Sequence, residues 1–355
     1  MALDFNYIFY YTGVFILTLF LSRFIFSRYI GFAKRFNLVK AQSARASHKG
    51  QVYTGGGVVF AAVIMVATLV LHDLDFTEFS DFSSVIATSI LVSVLGFYDD
   101  FIDISAFQKY IILTFLILML LYSNSTISII QNLNGFLGIY SIGFIPGLIF
   151  TSFVYLSIMN AINLTDGIDG YLAIFSIAFF ISFFYINNIN EFYTLNSVSV
   201  ILIASCCIFI RYNFSKGKKL FVGDAGSLFL GFWISTFLIT YITSSPSSNV
   251  VDQFSIKLEN IPILAISLIS VPVMDTLSVM LVRIINKSSP FKADNSHLHH
   301  ILLKSGFSHL RTSLTLTFIN FFIVISIFLM EPYFNSVKLT IIYISISIFL
   351  SLIHI

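Results

Sequence analysis

Three short runs hold six aspartates between them: GFYDDFID over 96–103, NLTDGIDG over 163–170 and VGDAGS over 222–227. The acids are Asp99, Asp100, Asp103, Asp166, Asp169 and Asp224. Adjacent carboxylates such as Asp99 and Asp100 repel each other unless a cation or a proton lies close. A hard divalent cation carrying a phosphorylated substrate meets that need, because Mg²⁺ takes one or two carboxylates together with phosphate oxygens and water. If the helix under Asp99 continues, Asp103 at i+4 shares its face, and Asp100 points about 100° away. Asp224 opens an apolar run. It therefore sits at a helix N-terminus, where backbone N–H groups and the helix dipole favour anions. Gly167 and Gly170 allow a tight turn, and Asn163 and Thr165 add amide and hydroxyl groups beside Asp166 and Asp169. One capping residue there would account for one of these four polar side chains, not for all.

Two further segments could meet a substrate. The run 289–300, SPFKADNSHLHH, brings Asp294, His297, His299 and His300 together. A zinc site would require a fourth ligand, and the only cysteines, Cys206 and Cys207, lie inside an apolar run. Contacts to phosphate or sugar hydroxyls fit at least as well. The other segment is Ser47-His48-Lys49-Gly50 followed by Thr54-Gly55-Gly56-Gly57. Its glycines read either as close helix-packing positions or as a loop approaching phosphate behind His48 and Lys49. Asp275 is an acid near the middle of an apolar run (VPVMDTLSVM). Such residues are functional candidates by default, and it is expected to face the bundle interior, paired with an inner-loop histidine or with Arg283 if the helix brings them close.

The elements that position these residues are membrane helices. The 355 residues are 57% hydrophobic and 10% charged, with mean hydropathy +0.93, against about 25% charged residues in a soluble domain. The apolar runs are continuous rather than alternating, which favours helices over a β-barrel. The expected fold is all-α: a polytopic helical bundle forming one integral membrane domain. Eleven spans are predicted near 7–28, 55–72, 83–98, 109–123, 144–162, 170–187, 194–211, 225–244, 260–285, 312–330 and 336–354. A small hairpin is predicted within 125–143, turning at Asn134-Gly135. The N-terminus lacks a signal-peptide pattern and reads as a retained first helix. Adjacent Cys206 and Cys207 read as packing residues rather than a disulfide. With the N-terminus outside and the C-terminus in the cytoplasm, all of the 19 Lys and Arg except Lys257 and Lys338 fall on the inner side, as positive-inside bias demands. The loops near 31–54, 99–108, 163–170, 212–227 and 286–311 then face the cytoplasm and carry the acids and histidines named above.

In order, SHKG…TGGG, DDFID, NLTDGIDG, GDAGS, an aspartate within a span and HLHH resemble the polyprenyl-phosphate N-acetylhexosamine-1-phosphate transferase family. The match covers about residues 35–310, with the SPF…D…HLHH form closest to the branch that uses UDP-GlcNAc. The run His48–Gly56 lacks the proline of the peptidoglycan branch. The resemblance implies transfer of N-acetylhexosamine 1-phosphate, GlcNAc-1-phosphate first, from a UDP-sugar to undecaprenyl phosphate. UMP is released, Mg²⁺ is required (Mn²⁺ as a substitute), and a lipid-linked cell-envelope glycan is begun. It casts Asp99, Asp100 and Asp224 as catalytic, with Asp224 and Asp100 on the metal. Asn163, Asp166, Asp169, Phe221 and Asn213 fall to the nucleotide, and His297, His299, His300, His48 and Lys49 to sugar and phosphate. It further implies the bacterial inner membrane, lipid surroundings and no nucleic-acid partner, and leaves a homodimer open. A proposed base role for Asp99 is unnecessary, since a phosphate monoester with a second pKa of about 6 is already largely dianionic at pH 7. Another UDP-N-acetylamino sugar, including phospho-MurNAc-pentapeptide, is the rival substrate. A transporter, with Asp275 as a coupling site, is the rival class, but transporters usually place polar residues near the midplane of several spans and often show paired repeats; here the polar groups lie at the inner ends, and no repeat is visible.

Overall fold

A computed structural model describes residues 5–39, 52–73, 82–102, 104–123, 127–189, 193–244, 256–289 and 297–351. Each expected span is helical. The helices are α1 (Phe5–Arg35), α2 (Gly57–Asp73), α3 (Ser83–Ile102), α4 (Ala106–Ser123), α5 (Phe144–Leu164), α6 (Tyr171–Ile189), α7 (Tyr193–Asn213), α8 (Gly223–Thr243), α9 (Ile261–Ser267), α10 (Ser270–Ile285), α11 (Leu298–Lys304), α12 (His309–Met330) and α13 (Ser336–Ser351). Seven are long and apolar enough to cross a membrane, or eight if α9 and α10 count as one; α2, α6 and α13 present shorter apolar stretches.

The expected ninth span is broken. Two helices meet at 73°, and the cause is legible in Pro272. Proline has no N–H to give the carbonyl four residues back, and the Leu268 carbonyl instead accepts from Asn320 Nδ2 at 2.9 Å. Asn320 Oδ1 in turn accepts from Val271 N at 3.0 Å. One buried amide on α12 thus satisfies both sides of the break, as irregular backbone at membrane depth requires.

Two compact units can be distinguished: Met1–Thr126 with Phe180–Trp233, and Ile127–Phe179 with Ile234–Ile355. In the first, Phe26, Phe60 and Phe209 form an aromatic cluster with ring centroids 5.6–6.0 Å apart. Here the glycine run acts as packing. A Cβ on Gly57 would lie 1.9 Å from Gly226 N, and one on Gly96 would lie 2.4 Å from the Asp224 carbonyl. Backbone therefore meets backbone where α2 and α3 pass the start of α8. Gly56 N and Gly57 N donate to the carbonyls of Phe221 and Val222 at 3.0 and 2.9 Å, which fixes the entry to that helix.

The second unit contains the hairpin, β1 (Asn132–Phe136) and β2 (Ile139–Ser141), paired antiparallel. Its turn is Leu137-Gly138, not Asn134-Gly135. Leu137 and Gly138 have φ of 51° and 82°, as a two-residue hairpin turn with both central residues left-handed demands. Asn134 and Gly135 are left-handed too, at 54° and 88°, and coincide with a register irregularity inside β1. The Asn-Gly signal marked a bulge rather than the turn. Beside the hairpin, the buried Glu331 accepts from Lys257 N at 2.7 Å and Asn260 Nδ2 at 3.0 Å, tying the end of α12 to the start of α9.

Candidate active site

In the first unit, three helix ends bring charge together. Asp99 and Asp100 occupy the last turn of α3, Lys109 the first turn of α4 and Asp224 the first turn of α8. Lys109 Nζ donates to Asp99 Oδ2 at 2.8 Å and also to Asp224 Oδ2. One ammonium therefore separates two carboxylates that would otherwise repel. All three side chains are largely enclosed, with Asp99 13%, Lys109 15% and Asp224 32% exposed, so solvent screens them less than a surface pair. The other oxygen of Asp99 accepts from Ile104 N at 2.9 Å.

Asp100 is used differently. Its two oxygens accept from Asp224 N at 2.9 Å and Ala225 N at 3.4 Å, so the carboxylate sits on the free amides at the start of α8. Gly223, with φ 66°, makes room, since a Cβ there would meet Asp100 Oδ2 at 2.2 Å. The resemblance assigned Asp100 and Asp224 to a metal. In the structure Lys109 Nζ lies between Asp99 and Asp224, and Asp100 accepts from the backbone amides of Asp224 and Ala225. Asn213 Nδ2 donates to the Leu220 carbonyl at 2.9 Å and so closes the loop before α8. Lys219 Nζ lies 5.4 Å from the centre of the Phe221 ring, within cation–π range.

The second unit gathers the histidines. His297 Nδ1–H donates to Asp275 Oδ2 at 2.8 Å, and Leu298 N donates to Asp275 Oδ1 at 2.8 Å. The pairing of the mid-span acid with a loop histidine is thus realised, and Arg283 is not the partner in that contact. The His297 and His299 rings lie parallel, 5.7 Å apart and 7° from coplanar orientation, and His300 packs on His299 at 4.2 Å. In the Asn163–Gly170 turn, Asp166 N donates to the Asn163 carbonyl at 3.2 Å. Asp169 is buried; its backbone N donates to His309 Nδ1 at 3.2 Å, and its carbonyl accepts from Ser313 Oγ at 3.0 Å. Gly167 lies against His299, whose Nε2 would be 2.2 Å from an added Cβ. His48, Lys49, Asp103 and Asp294 lie outside the described residues.

Burial, reinforced by neighbouring His300, holds the His299 imidazole neutral, with its pKa pushed down from 6.5 to about 3. The folded protein then binds fewer protons than the unfolded chain between those two values. Stability is therefore full above about pH 6.5 and is lost as pH falls toward 3, by up to about 1.4 kcal/mol per pH unit. Replacing His299 with Gln is expected to flatten this slope. The check is the thermal unfolding midpoint in detergent at pH 7 and pH 5: the wild type loses more than His299→Gln. Equal losses would contradict it.

Two of these residues escaped the sequence reading. Lys109 looked like one more inner-edge basic anchor, although it stands ten residues after Asp99 at the same membrane edge. His309 begins α12, more than a hundred residues from Asp169, and no local pattern links them.

Apolar helices ending in clustered acids, a lysine and histidines define a multi-pass helical membrane protein with its polar chemistry at helix ends. Over residues 82–242 the chain matches the profile of glycosyl transferase family 4. It is 38% identical over 130 residues to the probable undecaprenyl-phosphate N-acetylglucosaminyl 1-phosphate transferase of Bacillus subtilis, covering 37% of this chain and 33% of that one. It is 34% identical over 125 residues to the decaprenyl-phosphate N-acetylglucosaminephosphotransferase of Mycolicibacterium smegmatis, covering 35% and 30%. These matches span about a third of the relatives' length. A longer match, 27% identical over 285 residues and covering 78% of this chain and 72% of the other, is to the undecaprenyl-phosphate alpha-N-acetylglucosaminyl 1-phosphate transferase of Escherichia coli O157:H7.

Proposed function

We propose that the protein is a Mg²⁺-dependent phosphotransferase that moves N-acetylglucosamine 1-phosphate from UDP-N-acetylglucosamine to undecaprenyl phosphate, releasing UMP. The product is the first lipid-linked unit of a cell-envelope glycan. The observation that carries the reading is the Lys109 ammonium held between Asp99 and Asp224 at the ends of three helices. It is supported by relatives whose names pair a polyprenyl phosphate with N-acetylglucosamine 1-phosphate. The positive-inside asymmetry and the bacterial relatives support an inner-membrane protein with this edge toward the cytoplasm, where UDP-sugars are made.

The residues fit a magnesium ion. Among the described residues no group of three or more His, Cys, Asp or Glu could hold a metal ion. Two carboxylates around one cation position are what Mg²⁺ uses when substrate phosphates and water complete its octahedron. Asp224 and Asp99 are the residues that would hold it, with Asp100 fixing Asp224 through the amides of α8. When bound, the ion supplies charge neutralisation on the pyrophosphate.

This chain's own groups supply the rest. Phosphoryl transfer requires alignment and charge stabilisation more than covalent help. Lys109 shares its ammonium between Asp99 and Asp224; were those carboxylates to hold a divalent ion, the lysine would be the group placed to meet a phosphate oxygen. Asp99 is engaged by Lys109 and by Ile104 N, which suits a charge-placing role and gives no support to a base. The Asn163–Gly170 turn, Phe221 and Asn213 are assigned to the nucleotide, and the 297–300 histidines with His48 and Lys49 to the sugar phosphate.

Incubating the purified protein with UDP-N-acetylglucosamine, Mg²⁺ and undecaprenyl phosphate is expected to release UMP and form the diphospholipid sugar. Parallel reactions with UDP-N-acetylgalactosamine and UDP-MurNAc-pentapeptide test the donor. No UMP from any donor would overturn the reading, and release from another donor alone would replace the sugar.

A further inference from the structure

Asp275 is buried in α10, in the outgoing arm of the broken helix pair, and its side chain is 9% exposed against 8% for His297. A carboxylate at such a place is costly unless it is ionically or hydrogen-bond satisfied. Here both oxygens are directed at one short segment. Oδ2 accepts a hydrogen bond from His297 Nδ1–H and Oδ1 accepts one from the Leu298 amide, each at 2.8 Å. A carboxylate accepts only, so this contact selects the form of His297 that carries hydrogen on Nδ1 and leaves Nε2 to face other partners. The orientation is passed on. The His297 ring lies parallel to His299 at 5.7 Å. His299 is 2% exposed, and its Nε2 has no hydrogen-bond partner among the described residues. That same nitrogen abuts Gly167, where an added Cβ would be 2.2 Å away.

We propose that Asp275 is a positioning residue: it locks the His297 ring and the start of α11, and through the stacked His299 it sets the position of the Asn163–Gly170 turn. The proposal rests on the transferase reading for its effect on turnover, and on geometry alone for its effect on the ring. An Asp whose only task was to cap α11 would require the Leu298 contact and be indifferent to the state of His297. An Asp that orients the ring requires both.

Asp275→Asn separates these. The amide keeps an oxygen for Leu298 N but turns an N–H₂ toward His297, which then has to accept at Nδ1 and carry its proton on Nε2. Nitrogen-15 NMR of the histidine rings, in detergent and without substrate, is expected to show Nδ1–H for His297 in the wild type and Nε2–H in Asp275→Asn. Turnover in Asp275→Asn is expected to fall by about 10–100-fold, while His297→Gln loses a similar amount and leaves the Leu298 cap intact. The double variant Asp275→Asn/His297→Gln should be no worse than His297→Gln alone within about threefold, because the two residues act as one unit. A wild-type His297 that bears no proton on Nδ1 would overturn the proposal whether or not any variant folds. So would a folded His297→Gln or Asp275→Asn with turnover within about twofold of wild type, or losses that simply multiply in the double variant. A wild type that releases no UMP would sink the transferase reading and leave the ring assignment standing.

Discussion

Asp224→Asn is expected to lower UMP release by about 10³-fold, the size of effect seen when one preorganised electrostatic group is removed from a transition state. Asparagine matches aspartate in size, so packing at the start of α8 is preserved. Its backbone N–H still donates to Asp100, as Asp224 N does at 2.9 Å, and the thermal unfolding midpoint should move little. What disappears is one of the two negative charges between which Lys109 sits. A variant that folds normally and keeps a tenth or more of the activity would remove Asp224 from the charge-bearing centre.

Lys109→Met should be nearly as damaging, at about 10²-fold in turnover, with a distinguishing sign. Methionine retains an apolar stem of similar length but carries no charge. Without the ammonium, Asp99 and Asp224 face each other unneutralised, and a divalent cation no longer competes with a lysine for their oxygens. The Mg²⁺ concentration giving half-maximal activity is therefore expected to fall even as kcat falls. A lysine that merely held α4 against α3 and α8 would give lost activity with unchanged or weaker Mg²⁺ dependence. Steady-state UMP release across a magnesium titration of both proteins decides between these outcomes.

The clustering of Asp99, Asp100 and Asp224 was readable in the sequence because short carboxylates at the ends of apolar runs have few structural uses. Their division of labour was not. Neighbours on a helix point about 100° apart, and only the placement of α8 determines that Asp100 meets its amides while Asp99 meets Lys109. Lys109 was hidden by a legitimate alternative, since basic residues at inner helix ends also serve as anchors. The helical segments themselves were legible from apolar runs of the right length. The break at Leu268–Ser270 was half visible in Pro272, but the amide that stabilises it comes from Asn320, 49 residues beyond Val271. The hairpin was legible as a region, and its turn was misread because Asn134-Gly135 and Leu137-Gly138 both adopt left-handed backbone. The glycines of Thr54–Gly57 carried two readings, and the approach of Gly57 to Gly226 favours packing. Asp275 stood out from sequence as an acid in a span, whereas its partner depended on how α11 returns to the bundle.

We propose one divalent cation shared by Asp99 and Asp224, in the place that Lys109 otherwise fills. The most direct test is a Mn²⁺ titration of the purified protein with UDP-N-acetylglucosamine present, followed by electron paramagnetic resonance. The wild type should bind one equivalent, Asp224→Asn should bind at least about tenfold more weakly, and Lys109→Met should bind more tightly than wild type. Identical Mn²⁺ affinities in all three proteins would contradict the claim.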